Sequence, residues 1–178
     1  MPGKHDWALE FDGNDYVSVA AGDSLDATAI TVVVWARVDV AAATRILVNR
    51  HWNNNDEGWL LYAEGNSFKF GHSDTPGPGR AEAVSSDITY TPGIWYHVAG
   101  LYDGTDHAIY VNGIEKKENA TYGIRNSGEP ILLGATRLPH GLRGFHLQGM
   151  IEDVLLYNRA LSVEEIAWLY REPYAFYK

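Results

Sequence analysis

The chain has 178 residues, of which 46% are hydrophobic and 12% aromatic, and we expect residues 1–178 to form a single packed domain. It contains no cysteine, which excludes a disulfide framework and thiolate metal sites. The formal net charge of −9 argues against nucleic acid and anionic membrane surfaces as partners. No apolar run approaches the roughly 18 residues that a membrane-spanning helix needs.

Short strands separated by turns are predicted along most of the chain. The first, at residues 7–11, leads into a turn at residues 12–15 whose residue types tolerate tight backbone. Residues 29–38 are β-branched and apolar on both faces, as is typical of a central strand in a sandwich. Hairpin turns are predicted at Asp103–Gly104 and Asn112–Gly113. About eleven to thirteen such strands indicate an all-β, antiparallel two-sheet sandwich.

The C-terminal part combines a long strand with a short helix. Residues 148–157 look like a strand that is apolar on both faces, except for Glu152 and Asp153. Because burying a bare carboxylate is costly, this pair needs a partner. Ser162 is the predicted N-cap of the helix, and Glu165 completes a capping box.

Four segments resemble the LamG-like jelly-roll domain of the concanavalin A-like lectin/glucanase superfamily. They read A-L-E-F-D-G-N-D-Y-V, I-T-V-V-V-W-A-R-V, W-Y-H-V-A-G-L-Y-D-G and G-M-I-E-D-V-L-L-Y-N-R-A-L-S, and the resemblance extends over about residues 8–170. It implies an all-β, two-sheet antiparallel jelly-roll sandwich with a short C-terminal helix. It also implies an extracellular or cell-surface setting. The chain shows no signal-peptide core, so we expect an excised or mature domain.

Acidic residues near the two ends of the chain predict a calcium site. Calcium prefers about six to eight oxygen ligands, and Asp12, Asn14 and Asp15 offer three side-chain oxygens in one turn. Because the first and last strands of a jelly roll are often neighbours, we expect Glu152 and Asp153 to lie beside that turn. The resemblance supports a structural Ca²⁺ ion here, although the family's usual residue at position 152 is Asp. The alternative is an Asx turn plus a carboxylate that caps backbone amides.

Aromatic and planar polar side chains predict a carbohydrate-binding surface, since aromatic faces stack on sugars and amides pair with hydroxyl groups. Trp52 is expected to anchor it, because this residue lies in a polar loop. The other candidates lie in that loop, on the hairpin beside it and in later loops: Asn53, Asn54, Asn55, Asp56, Trp59, Tyr62, His72, Arg80, Arg137 and Phe145. For each aromatic residue on the hairpin, packing in the core is the competing interpretation.

The carboxylate pair of the C-terminal strand and the histidines do not predict a catalytic site. A retaining glycosidase needs two carboxylates on one face, about 5–5.5 Å apart, whereas Glu152 and Asp153 are adjacent and expected on opposite faces of their strand. G-x-S-x-G and H-E-x-x-H do not occur, and His97 is interpreted as a hydrogen-bonded core histidine. We therefore predict a non-catalytic carbohydrate-recognition module. The alternatives are a protein-adhesion or structural spacer module and, less favoured, a polysaccharide-active enzyme.

Overall fold

The computed structural model describes residues 1–20, 22, 27–52, 57–74, 82–125, 128–138, 140 and 142–172, with only the backbone for residues 51, 52 and 57. Its strands are β1 Leu9–Asp12, β2 Val17–Val19, β3 Ile30–Val38, β4 Arg45–Trp52, β5 Glu57–Glu64, β6 Ser67–Ser73, β7 Glu82–Thr89, β8 Trp95–Tyr102, β9 Asp106–Val111, β10 Ile114–Asn119, β11 Ile131–Leu133, β12 Thr136–Arg137, β13 Arg143–Gly144 and β14 Gln148–Tyr157. One helix follows, α1 Val163–Arg171.

The strands form two sheets packed face to face as a jelly-roll sandwich. A six-stranded sheet has the order β1-β14-β3-β8-β9-β10. An eight-stranded sheet has the order β13-β12-β4-β5-β6-β7, and β11 joins β2 to β4. The pairing is antiparallel throughout the described strands except where β12 lies beside the end of β4. The predicted all-β sandwich is confirmed.

The core fills the space between the two sheets. Val34 of β3 and Val98 of β8 contribute from the six-stranded sheet, and Leu61, Phe68 and Phe70 contribute from the eight-stranded one. All five side chains are fully buried. Strand alternation produces this layer, because every second residue points into the sandwich.

Helix α1 covers the outer face of the six-stranded sheet. Its buried residues Ile166 and Leu169 pack with Val33 and Ala99, which point away from the main core. This second apolar layer explains why β3 is apolar on both faces. The predicted capping box is confirmed, since Ser162 Oγ accepts the N–H of Glu165 at 3.3 Å and the Glu165 carboxylate accepts the N–H of Ser162 at 2.8 Å. Within the described ranges, no helix has the length and apolarity to cross a bilayer.

The first and last strands are neighbours, as predicted. β14 lies between β1 and β3, and its register places Asp12 opposite Gln148 and Leu9 opposite Ile151. Gly149 permits the close approach of β14 to β3, because a Cβ there would lie 1.9 Å from a backbone oxygen of the neighbouring strand. A β-bulge follows between residues 152 and 155.

Two segments expected to be loops contain strand. β4 continues to Trp52, into the predicted polar loop, because β12 lies alongside its end and pairs Arg137 with Trp52. The segment 137–145, predicted as a loop, contributes Arg137 to β12 and contains the two-residue strand β13. The pairing of Arg137 with Trp52 joins residues far apart in the chain, so local composition does not reveal it.

Candidate functional site

The two acidic clusters lie at different ends of the β1–β14 pair. Asp12 is opposite Gln148, and Glu152 lies four residues further along β14, about 13 Å away at ~3.3 Å per residue. One calcium ion cannot contact both clusters, because its ligands lie about 2.3–2.6 Å away. The expectation that Glu152 and Asp153 lie beside the turn is therefore wrong. The strands are neighbours, but the antiparallel register brings the other end of β14 to the turn.

Glu152 is bound by the backbone at the start of the chain. Its carboxylate accepts the N–H groups of Lys4 at 2.5 Å, His5 at 3.0 Å and Asp6 at 2.8 Å. The side chain is only 2% exposed. The partner that this buried carboxylate requires is thus a set of three amides, which is the alternative to calcium considered above.

Asp153 points to the same side of β14 as Glu152, so the expectation of opposite faces is wrong. The reason is the bulge, where Asp153 has a φ of 51°. Its Oδ2 lies 3.6 Å from His5 Nδ1, and the ligand-type atoms of these three residues lie within 4.8 Å of one another. Burial, and then the charge of Glu152, raise the pKa of Asp153.

The turn after β1 is held by its own side chains. Asp12 Oδ1 accepts the N–H of Asn14 at 2.9 Å, and Asp15 Oδ2 accepts the N–H of Asp12 at 3.4 Å. Gly13 has a φ of 103°, a conformation that L side chains rarely adopt. These contacts form an Asx turn, and they leave the side chains of Asp12 and Asn14 on the surface.

A surface cavity of about 410 Å³ opens beside this turn, between the starts of β4 and β14. Its volume is within the usual range for small-molecule sites, about 300–1,000 Å³. The turn, the first residue of β4 and the segment leading into β14 supply its walls. The lining residues are Asp12, Gly13, Asn14, Arg45, Phe145, His146 and Gln148.

The cavity combines a cationic group, amides and an aromatic face. Arg45 Nη1 donates to the carbonyl oxygen of Thr44 at 3.1 Å, and Nη2 donates to Gln148 Oε1 at 3.5 Å. The Arg45 Nε is buried and has no hydrogen-bond partner among the described residues. Phe145 is 46% exposed, although large aromatic side chains are usually buried. The site therefore offers donors, acceptors and a ring to one ligand.

The predicted sugar-binding residues do not form one surface. Trp59 is 3% exposed in the core and His72 is fully buried, so neither is available to a surface ligand. Both side chains point into the sandwich from their strands. Tyr62 is half-buried, and burial raises its pKa to about 12.

Of the remaining candidates, Arg137 is half-buried and forms an ion pair with Glu129. Among the predicted sugar-binding residues that the structure describes, only Phe145 lines the cavity. Asn53, Asn54, Asn55, Asp56, Arg80 and the side chain of Trp52 lie outside the described residues.

Sequence reasoning did not find Arg45, His146 or Gln148. Each is an isolated polar residue at the edge of a strand or in a short connection, with no motif around it. They meet because β4 and β14 start at the same end of the sandwich. The approach of Arg45 to Gln148 spans 103 residues of chain.

The fold defines the class of this protein as a jelly-roll β-sandwich with a helix on its outer face. The Laminin_G_3 family model of the Concanavalin A-like lectin/glucanases superfamily matches residues 11–167, and the chain belongs to this family. The resemblance drawn from the sequence motifs is thereby confirmed.

Among curated proteins, the chain is similar to segments of Pappalysin-1. It is 25% identical to the Mus musculus protein over 179 residues and 26% identical to the Homo sapiens protein over 181 residues. In both cases the match covers 89% of this chain and 11% of the relative. The chain thus spans about a tenth of the length of these relatives.

Among solved structures, the chain resembles two binding domains. The Ruminococcus gnavus IT-sialidase CBM40 bound to α2,3-sialyllactose has a TM-score of 0.77 at 15% identity, covering 91% of this chain and 95% of that one. The binding domain of Paraclostridial Mosquitocidal Protein 1 has a TM-score of 0.74 at 18% identity, covering 98% and 45%. At these identities the likeness establishes the shared fold.

Proposed function

We propose that this chain is a non-catalytic carbohydrate-recognition module and that its glycan binds in the cavity beside the turn after β1. The observation that carries the proposal is the pairing of exposed Phe145 with Arg45 in one cavity of about 410 Å³. A ring face packs on the C–H surface of a sugar, and planar polar groups fix the orientation of its hydroxyl groups.

Arg45 gives the cavity a preference for acceptor-rich ligands. Its guanidinium is held on one side by Thr44 and Gln148, and these two bonds use two of its five N–H groups. Arginine binds carboxylate and hydroxyl oxygens through several N–H groups at once. Asn14 and Gln148 add amides that both donate and accept.

The comparisons support this proposal at the level of the fold. One structural relative is named as bound to α2,3-sialyllactose, a glycan that carries a carboxylate. The extracellular or cell-surface setting implied by the family resemblance is part of the same proposal. The role as one module of a longer protein also belongs to this proposal. It fits a chain that matches about a tenth of the length of its curated relatives.

Calcium enters the proposal only at the cavity. Glu152 lies about 13 Å along β14 from the residue opposite Asp12, so it cannot share an ion with the turn. Asp12 and Asn14 instead line the cavity with exposed oxygens. A calcium ion held there would accept further oxygen ligands from sugar hydroxyls, because its coordination is flexible and takes about six to eight oxygens.

The absence of catalysis is also proposed. The carboxylate pair at the bulge of β14, Glu152 with Asp153, has one member that is 2% exposed and hydrogen-bonded to three amides. Such a carboxylate is screened from substrate and occupied by its amide donors, so it is unsuited to act as a nucleophile or general acid.

A glycan array followed by calorimetric titration of the best ligand tests this function. The array is run with calcium and with chelator, and the titration compares wild type with Arg45→Ala and Phe145→Ala. We expect each variant to weaken binding at least about tenfold, the equivalent of ~1.4 kcal/mol. Leu142→Ala is the matched control, because Leu142 is 62% exposed in a nearby loop and does not line the cavity. Equal affinity in all four proteins would refute the cavity assignment.

A second candidate, protein adhesion including self-association, is favoured by the edge strand β1. Trp7 is 76% exposed and Leu9 is 47% exposed beside that open edge. Exposed apolar side chains at a sheet edge are a common contact surface. Sedimentation of wild type and Trp7→Ala over a range of concentrations tests it. If both proteins stay monomeric at every concentration, self-association is excluded.

A further inference from the structure

Three metal-binding side chains converge where β6, β7 and β9 meet. His72 and Glu82 are opposite each other in the β6–β7 register, and His107 reaches them from β9 of the facing sheet. His72 Nε2 lies 3.1 Å from His107 Nδ1 and 3.8 Å from Glu82 Oε1. The three ligand-type atoms lie within 4.8 Å of one another. None of these residues lines the cavity proposed to bind glycan.

The surrounding hydrogen bonds determine which atoms have lone pairs available. His72 Nδ1 lies 2.9 Å from the carbonyl oxygen of Gly123, which can only accept, so Nδ1 carries the proton and Nε2 is an acceptor. Glu82 Oε1 accepts the N–H groups of Thr121 at 2.8 Å and Tyr122 at 2.7 Å. These two bonds occupy both lone pairs of Oε1, whereas Oε2 accepts one N–H among the described residues, that of Thr121 at 3.0 Å, and keeps a lone pair for a cation. His72 Nε2 and the Glu82 carboxylate are therefore both acceptors, and a cation between them would stabilise both.

We infer that His72 Nε2, His107 Nδ1 and the Glu82 carboxylate bind one zinc ion. Zinc holds imidazole nitrogen at about 2.0–2.1 Å and carboxylate oxygen at about 2.0–2.2 Å, which separates tetrahedral ligand atoms by about 3.3–3.4 Å. The measured separations of 3.1 Å and 3.8 Å lie on either side of that value. Two nitrogen ligands favour zinc over calcium, which takes oxygen ligands.

The outer contacts of the cluster match those of a metal site. Metal-binding histidines donate their second ring N–H to a carbonyl or carboxylate, as His72 does to Gly123. The Glu82 carboxylate is likewise fixed by two backbone amides. The Glu82 side chain is 18% exposed, which provides a path for the ion and leaves a fourth coordination position to solvent.

A zinc ion here would join the two sheets. His72 and Glu82 belong to the eight-stranded sheet, and His107 belongs to the six-stranded one. A ligand that binds only the folded state stabilises it by mass action. The ion would thus act as a structural clamp, a role independent of glycan binding.

The test uses the untagged full chain, stripped with chelator and dialysed, and titrated with zinc chloride by calorimetry. We expect one zinc per chain and a melting temperature raised by about 5 °C or more at a hundredfold excess over the dissociation constant. Cobalt(II) in its place should give the intense visible absorption of four-coordinate cobalt. Calcium should not compete. If the wild-type chain instead gives the weak absorption of octahedral cobalt, the inference is wrong, whatever the variants show.

Variants assign the ligands. His107→Gln and Glu82→Gln should each weaken zinc binding by more than the ~10–100-fold typical of losing an outer-shell partner. His140→Gln is the matched control, because His140 is exposed and outside the cluster. Unchanged zinc affinity in both ligand variants, or loss in the control as well, would show surface binding only. No binding by wild type would reduce the cluster to a hydrogen bond between two imidazoles.

Discussion

The carboxylate of Glu152 accepts the backbone N–H of Asp6 at 2.8 Å, across 146 residues of sequence. Lys4 and His5 donate to the same group. The segment before β1 is thereby attached to β14 through one side chain. The three backbone amides give the buried carboxylate the hydrogen-bond donors that it needs. The carboxylate in turn gives these amides an acceptor.

This arrangement predicts that Glu152→Ala is strongly destabilising. Three amides would be left without their acceptor, and an unsatisfied buried polar group costs about 1–3 kcal/mol. These amides are only partly buried, so denaturant unfolding should show a loss of about that size. Glu10→Ala is the control, since Glu10 is exposed on β1, and surface changes stay within about 0.5 kcal/mol. Equal midpoints for the two variants would contradict the anchoring role.

The capping box gives a second prediction. Ser162 Oγ accepts the N–H of Glu165, so Ser162→Ala should lower the unfolding free energy by about 0.5–2 kcal/mol. Ser18→Ala, an exposed position on β2, should change it little. An unchanged midpoint in Ser162→Ala would remove the capping assignment.

His97 predicts a loss of stability in acid. It is 1% exposed between Trp35 and Tyr170, and burial followed by the charge of His5 lowers its pKa to about 4. In the unfolded chain the pKa is about 6.5. Between these values the unfolded state binds the extra proton, so stability falls as pH decreases from about 6.5 towards about 4.

Unfolding of wild type and His97→Phe at several pH values measures that contribution. The variant should show a shallower acid slope, because its ring cannot take up a proton. Some slope should remain, since burial also lowers the pKa of His72 and of His107. Identical slopes in wild type and variant would exclude His97 as a source.

Calcium at the cavity predicts a metal-dependent melting temperature. Binding at a hundred times the dissociation constant contributes about 2.7 kcal/mol, so chelator should lower the melting point and calcium restore it. Magnesium should restore it poorly, because it demands a regular octahedral site. Asp12→Ala should abolish the response, whereas Asp153→Ala should retain it, since Asp153 lies outside the cavity. Superimposed curves with chelator and calcium would rule out the ion.

Much of the fold follows from the sequence, because strand alternation and turn residues are local signals. The bounds of β14 and the capping box at Ser162 follow from apolar spacing and side-chain type. His97 is a core residue, as its strand predicts, but it is not the hydrogen-bonded histidine expected. Within the described chain neither of its ring nitrogens has a hydrogen-bond partner. Aromatic neighbours surround it instead, and their placement depends on where α1 packs.

The candidate site was less predictable, because it depends on register. A shift along β14 decides whether Asp12 meets Gln148 or Glu152, and composition does not specify the shift. The bulge at Asp153 reversed the expected direction of its side chain. His72 and His107 are 35 residues apart and on different sheets, so their contact also has no local signal.

The position of β14 between β1 and β3 has a consequence for how the chain folds. Until residues 148–157 are available, β3 lacks its partner on one side and β1 has no strand to pair with. The six-stranded sheet therefore cannot be completed strand by strand during synthesis. It forms only after most of the chain has been made. Such non-local pairing slows folding. It also leaves the apolar edge of β3 exposed meanwhile, so a fragment ending before Gln148 would aggregate rather than form half a domain.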